Sequence, residues 1–243
     1  MNVLVPVVYN YSHSNMLAIG SFLCAYFTFF TSTWEEYHTG TLYLDYISGP
    51  SEGAWAVVLS SLISFFFGPQ FWDAQLFGIQ IKWIVPLTFI FGGLSTSFTS
   101  INRSLAVKKS LSTLLAQLIV PAVYLFSCLF LAFLWIPQQP ALAIWFIFLS
   151  GFPACFRISS TILAHITKSP LYPFYPIELV PILLITLKFL LPELIGIAVF
   201  KSAVIICSIV YFTAMIFIIR DICTFLDINC LSIKHKLQRQ KQK

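Results

Sequence analysis

The chain reads as a succession of long, continuously apolar runs separated by short polar stretches. A helix that crosses a bilayer needs about 20 mostly apolar residues. Seven runs come near that length: 15–33, 53–68, 83–101, 111–136, 141–164, 177–191 and 194–219. The second and sixth are short. Apolar residues fill these runs rather than alternate with polar ones, which argues for helices and against the strands of a membrane barrel. Trp34, Trp72, Trp83 and Trp135, with Tyr172 and Tyr175, fall near the expected ends, where amphipathic rings favour the interface. There is no internal repeat and no low-complexity linker. The expected fold is all-α, a polytopic membrane helix bundle of about seven transmembrane helices, with residues 1–219 as the membrane domain and 220–243 as a basic tail.

Composition strengthens this reading. Of 243 residues, 58% are hydrophobic and 9% charged, against about 25% charged in a typical soluble domain. That excludes a soluble enzyme, a nucleic-acid-binding domain and a disordered chain. The net charge of +5 is concentrated in two short basic stretches. Cys24, Cys128, Cys155, Cys207, Cys223 and Cys230 form no C-x-x-C pair, so they read as small apolar residues rather than as a zinc site or disulfide framework. Met1–Asn15 lacks a basic start, and no small-residue cleavage site follows the first run, so a signal peptide is not expected.

With seven spans, Arg103, Lys108, Lys109, Lys168, Arg220, Lys234, Lys236, Arg239, Lys241 and Lys243 fall on one side. The other side receives Lys82, while Arg157, Lys188 and Lys201 lie within spans. The positive-inside rule then puts the 34–52 loop, the 102–110 loop and the C-terminus in the cytosol. The sequon Asn10-Tyr11-Ser12 falls on the far side, close to the first span. In the tail, Ile222, Phe225, Leu226, Ile233 and Leu237 recur at near-helical spacing beside a basic end. That pattern fits either an amphipathic helix on an anionic leaflet or a solvated tail.

Polar groups within a membrane are costly, so their positions matter. Glu35, Glu36 and His38, followed by Asp45 and Glu52, crowd one cytosolic mouth in a chain with nine carboxylates. They read either as a site for a metal or cationic headgroup, or as a polar loop between spans. Arg157 and His165 are eight apart, about 80° around a helix, so both can face one groove. An anionic phosphate is a natural partner for a buried arginine; a buried carboxylate or backbone carbonyls are the structural alternative. Asn102 and Arg103 read as topological charge. No phosphate loop, H-E-x-x-H or G-x-S-x-G motif is present.

The run from Ser32 through Trp34-Glu35-Glu36-Tyr37-His38-Thr39-Gly40 to Leu44 resembles the choline- and ethanolamine-phosphotransferases of the CDP-alcohol phosphotransferase family, particularly the fungal ones. So do Ser48-Gly49-Pro50-Ser51-Glu52-Gly53 and Gly68-Pro69. The stretch from Arg157 to Ala164-His165-Ile166-Thr167 is similar to a late helix of those enzymes, and Asp221 through His235 to their C-terminus. The resemblance implies transfer of phosphocholine or phosphoethanolamine from a CDP-alcohol to diacylglycerol at the endoplasmic reticulum membrane. It also implies magnesium or manganese held by the signature D-x2-D-G-x2-A-R-x8-G-x3-D-x3-D.

These residues do not contain that signature. The aspartates are Asp45, Asp73, Asp221 and Asp227, none of them three or four residues from another. The chain is therefore expected to correspond to the later spans of a larger enzyme, to bind no metal alone and to carry no catalytic residue of its own. Glu35, Glu36, His38, Glu52, Arg157 and His165 are the expected substrate-binding residues. A non-catalytic module that binds membrane lipids, or dimerises with itself or a full-length relative, is the alternative. No nucleic-acid partner is expected.

Overall fold

The computed structural model describes residues 15–43, 50–76, 78–107, 111–139, 142–191 and 196–230. Among them are seven α-helices: α1 (Asn15–Thr39), α2 (Pro50–Phe67), α3 (Ile81–Ala106), α4 (Leu111–Trp135), α5 (Ala143–Thr167), α6 (Val180–Leu190) and α7 (Ile197–Leu226). Each corresponds to one apolar run of the sequence. Four are long and apolar enough to cross a membrane, namely α3, residues 112–135 of α4, α5 and α7. The protein is an all-α, multi-pass membrane bundle.

Several boundaries differ from the sequence expectation. Helix α1 continues to Thr39, so Trp34 to His38 are helical rather than part of a loop. Helix α3 continues to Ala106, which places Arg103 on a helix as well. Charged residues mark the end of an apolar run, yet helical backbone bonds continue wherever those charges find partners. Between α2 and α3, a 3-10 turn (Pro69–Asp73) leads to a short hairpin of β1 (Gln75–Leu76) and β2 (Ile79–Gln80), with Gly78 at positive φ. An ion pair of 2.6 Å from Lys82 to Asp73 ties the 3-10 turn to the start of α3. Helix α7 passes position 219 without a break and ends at Leu226, where Asp227 takes the left-handed conformation. The tail beyond residue 230 lies outside the described residues.

The core gathers α1, α4 and α5, with Phe30, Trp34, Leu131, Phe146 and Phe200 fully buried. Trp34 is thus an interior residue and not an interfacial one. Helices pack in lipid through close contact of small residues, because lipid gives no hydrophobic gain for burial. Gly93 on α3 serves that purpose: a Cβ there would lie 2.7 Å from Thr28 Oγ1 and 3.0 Å from Cys24 Sγ of α1. Thr31 of α1 donates to Ser97 Oγ of α3 at 3.2 Å across the same seam. Hydroxyls on α1 are also satisfied locally, Thr28 by the Cys24 carbonyl and Ser32 by the Thr28 carbonyl.

Helix α6 has 11 residues, about 16 Å at 1.5 Å per residue, roughly half of a 30 Å hydrocarbon core. The chain before it explains this. From Lys168 it folds back along α5, so that Tyr175 packs on Phe156 with ring centroids 5.2 Å apart. Irregular backbone at that depth is tolerated only where its polar groups are satisfied by protein. Pro170, Pro173 and Pro176 remove three N–H groups from the problem, and Arg157 takes up carbonyls, as described next.

Candidate functional site

The ends of α1, α3 and α5 and the start of α4 meet at one end of the bundle. There Glu35 is fully buried. Arg103 Nη1 of α3 donates to its Oε1 at 3.4 Å, while Oε2 is buried with no hydrogen-bond partner. Arg103 also lies 5.1 Å from the centre of the Tyr43 ring, so it is a structural partner rather than topological charge alone. Gln117 of α4 binds two further side chains of α1. Its Oε1 accepts from Trp34 Nε1 at 3.0 Å and lies 2.8 Å from His38 Nε2. A carbonyl oxygen can only accept, so Nε2 is the protonated nitrogen of His38. The imidazole is held edge-on to Trp34 and Tyr37, at 4.8 and 5.0 Å.

The neighbouring residues reach a different helix. Glu36 Oε1 lies 3.8 Å from His165 Nε2 of α5. Tyr37 OH donates to the Ser169 carbonyl and accepts from Leu171 N, both at 3.1 Å. One turn of α1 therefore binds three helices at once: Glu35 α3, His38 α4, and Glu36 with Tyr37 α5 and the strand of chain after it. This follows from 100° between successive helical residues. The side chain of Glu52, on α2, and Asp45 lie outside the described residues.

Arg157 is set apart from this group. It is 1% exposed, and Glu178, which the sequence reading did not single out, is 3% exposed. Arg157 Nε donates to Glu178 Oε1 at 2.8 Å, and Nη2 donates to Glu178 Oε2. Nη1 and Nη2 also donate to the Tyr172 and Pro173 carbonyls at 3.1 and 3.0 Å, and Tyr175 covers the guanidinium at 4.6 Å. Of the two partners weighed for this arginine, the structure contains the carboxylate and the backbone carbonyls together. His165 turns to Glu36, so the two residues do not share one groove. A signal for Glu178 was present in Tyr175-Pro176-Ile177-Glu178, whose last residue also caps the Tyr175 N–H at 3.2 Å.

A divalent metal needs several convergent oxygen ligands. Among the described residues, no three His, Cys, Asp or Glu side chains converge in that way. Glu35 is engaged by Arg103, Glu36 by His165, Glu178 by Arg157 and Asp73 by Lys82. These residues do not fit the magnesium cluster that the resemblance implies.

In class, then, this is a helical membrane protein with Glu35, Glu36, His38 and His165 gathered at one end of the bundle. No protein-family model matches the chain. It is 30% identical to cholinephosphotransferase 1 of Saccharomyces cerevisiae, over 93% of this chain and 64% of that protein. It is 29% identical to an uncharacterized CDP-alcohol phosphatidyltransferase class-I family protein of Schizosaccharomyces pombe, over 88% of this chain and 60% of that one. A third relative, choline/ethanolaminephosphotransferase 1 of Saccharomyces cerevisiae, is 29% identical over 85% and 59%. The chain resembles the fungal choline and ethanolamine phosphotransferases, and it spans less than two thirds of the length of each of these three.

Proposed function

We propose that the chain forms the headgroup-facing part of a CDP-alcohol phosphotransferase that makes phosphatidylcholine or phosphatidylethanolamine from diacylglycerol. The observation that carries this is Glu35: fully buried, with one carboxylate oxygen lacking a hydrogen-bond partner. A buried, half-satisfied carboxylate costs about 1–3 kcal/mol. A trimethylammonium or ammonium headgroup beside it offsets that cost, and aromatic rings such as Trp34 and Tyr37 favour such cations. Glu36, His38 and His165 lie at the same end of the bundle, Glu52 joins the headgroup site by resemblance alone, and Arg157 holds the chain that folds back along α5.

These 243 residues alone carry no transferase activity in this reading. The aspartate signature is absent from them, and the pyrophosphate of a CDP-alcohol needs its charge neutralised while the new ester forms. Membranes containing only this chain, given radiolabelled CDP-choline or CDP-ethanolamine with diacylglycerol and magnesium, are expected to yield no labelled lipid. Magnesium-dependent product contradicts this.

The remaining assignments rest on the same resemblance and on charge. The bundle lies in the endoplasmic reticulum membrane, all seven helices take part in crossing it, and the C-terminus is cytosolic. Protease protection of a C-terminal tag in intact microsomes contradicts the orientation. A second reading, a non-catalytic module that binds lipid or pairs with itself or a full-length relative, draws support from α7. Only Phe200, Val204 and Cys207 of its 30 residues are buried. Cross-linking in membranes that yields only monomer, together with purified protein free of lipid, counts against it.

A further inference from the structure

The end of the bundle opposite Glu35 carries a second group of polar residues. Trp135, Gln138, Gln139, Lys188 and Gly196 line a small cleft there. Trp135 lies 18 residues beyond Gln117 on α4, about 27 Å along the axis. Every feature of the cleft offers positive charge or a donor. The Lys188 ammonium lies 5.3 Å from the centre of the Trp135 ring, and among the described residues it has no carboxylate partner. Trp135 is 5% exposed, and its indole Nε1, which can only donate, is buried without a hydrogen-bond partner. Gly196 is the N-cap of the 30-residue helix α7 and supplies no side-chain cap. Among the described residues, the first N–H groups of that helix have no side-chain cap, at the positive end of its dipole.

We propose that this cleft binds a phosphate group, either the headgroup phosphate of a phospholipid in the adjoining leaflet or free phosphate. A phosphate in the cleft accepts from Lys188 and the start of α7, as anions do at other helix N-termini, and the unpaired indole of Trp135, which lines the cleft, is the remaining donor. The cleft is shallow, which suits a headgroup resting on it rather than an enclosed small molecule. This site is independent of the reaction proposed above.

Native mass spectrometry of the detergent-purified chain, titrated with phosphatidylglycerol, tests the proposal. Lys188→Gln and Trp135→Phe, the second keeping an aromatic ring while removing the donor, are each expected to lower bound lipid by at least about threefold, the loss of one charge-assisted bond. Lys243→Gln, in the basic tail, is expected to leave it unchanged. Displacement of lipid by inorganic phosphate from wild type, but not from the residual lipid on Lys188→Gln, identifies a site that also takes the free ion; no displacement identifies the lipid headgroup. Should Lys188→Gln fail to fold, Trp135→Phe carries the test. Equal lipid binding by wild type and a folded variant overturns the proposal, as does a loss equal to that of Lys243→Gln.

Discussion

Arg157 and Glu178 join a transmembrane helix to a stretch of chain that folds back beside it, through two hydrogen bonds on the two oxygens of one carboxylate. The pair also serves the backbone, since the remaining donors of Arg157 hold the Tyr172 and Pro173 carbonyls. Removing either partner leaves a buried charge uncompensated, at about 3–5 kcal/mol. Arg157→Gln and Glu178→Gln are therefore expected to lower the unfolding temperature in detergent sharply. Because the two residues share one interaction, the double variant should cost much less than the sum of the singles. Additive losses would show that the pair is not coupled.

Gln117 joins two α1 side chains to α4. Gln117→Leu removes the acceptor of the Trp34 indole and should cost about 1–3 kcal/mol. Adding Trp34→Phe to that variant removes the unpaired donor and should recover part of the loss. A double variant less stable than Gln117→Leu by the full effect of Trp34→Phe alone would contradict the assigned bond.

The seam between α1 and α3 predicts its own defect. Gly93→Ala places a methyl group 2.7 Å from Thr28 Oγ1, forcing the helices apart or the threonine off its bond to Cys24. A cost of about 1–3 kcal/mol is expected for such overpacking. Gly92, which has nothing within 4 Å of a Cβ, is the control: Gly92→Ala should be neutral or stabilising. Equal effects at both positions would rule out close packing as the reason for Gly93.

Tyr37→Phe removes the hydroxyl that both donates to Ser169 and accepts from Leu171. Amide exchange at Leu171 should then quicken by about fivefold, the loss of roughly 1 kcal/mol, while the interior of α5 is unchanged. Unaltered exchange at Leu171 would show that the loop is held elsewhere.

The seven apolar runs were legible because a lipid-facing helix needs length and hydrophobicity, and both are local properties. Their ends were less so. Trp34 to His38 and Asn102 to Ala106 read as loop because their charges, in isolation, belong in water; Arg103 reaching Glu35 keeps them helical. The density of polar residues from Trp34 to His38 marks that block in the sequence as a candidate site. Gln117 and Glu178 carry no such mark, since each gains its role from a contact with a distant residue, and a single glutamine or glutamate has no periodicity. The short sixth run was visible, but the return of the chain along α5 that makes it sufficient depends on Arg157 finding carbonyls, which is a tertiary fact.

The most direct measurement joins to this chain the part of cholinephosphotransferase 1 from Saccharomyces cerevisiae that it does not match, and follows labelled headgroup transfer to diacylglycerol. The joined protein should make product, the 243 residues alone none. Glu35→Gln, which keeps the shape of the side chain and removes its charge, should lower transfer by about tenfold or more, the equivalent of one lost charge-assisted contact. A joined protein that folds and yet makes no product, or one indifferent to Glu35→Gln, would contradict the account.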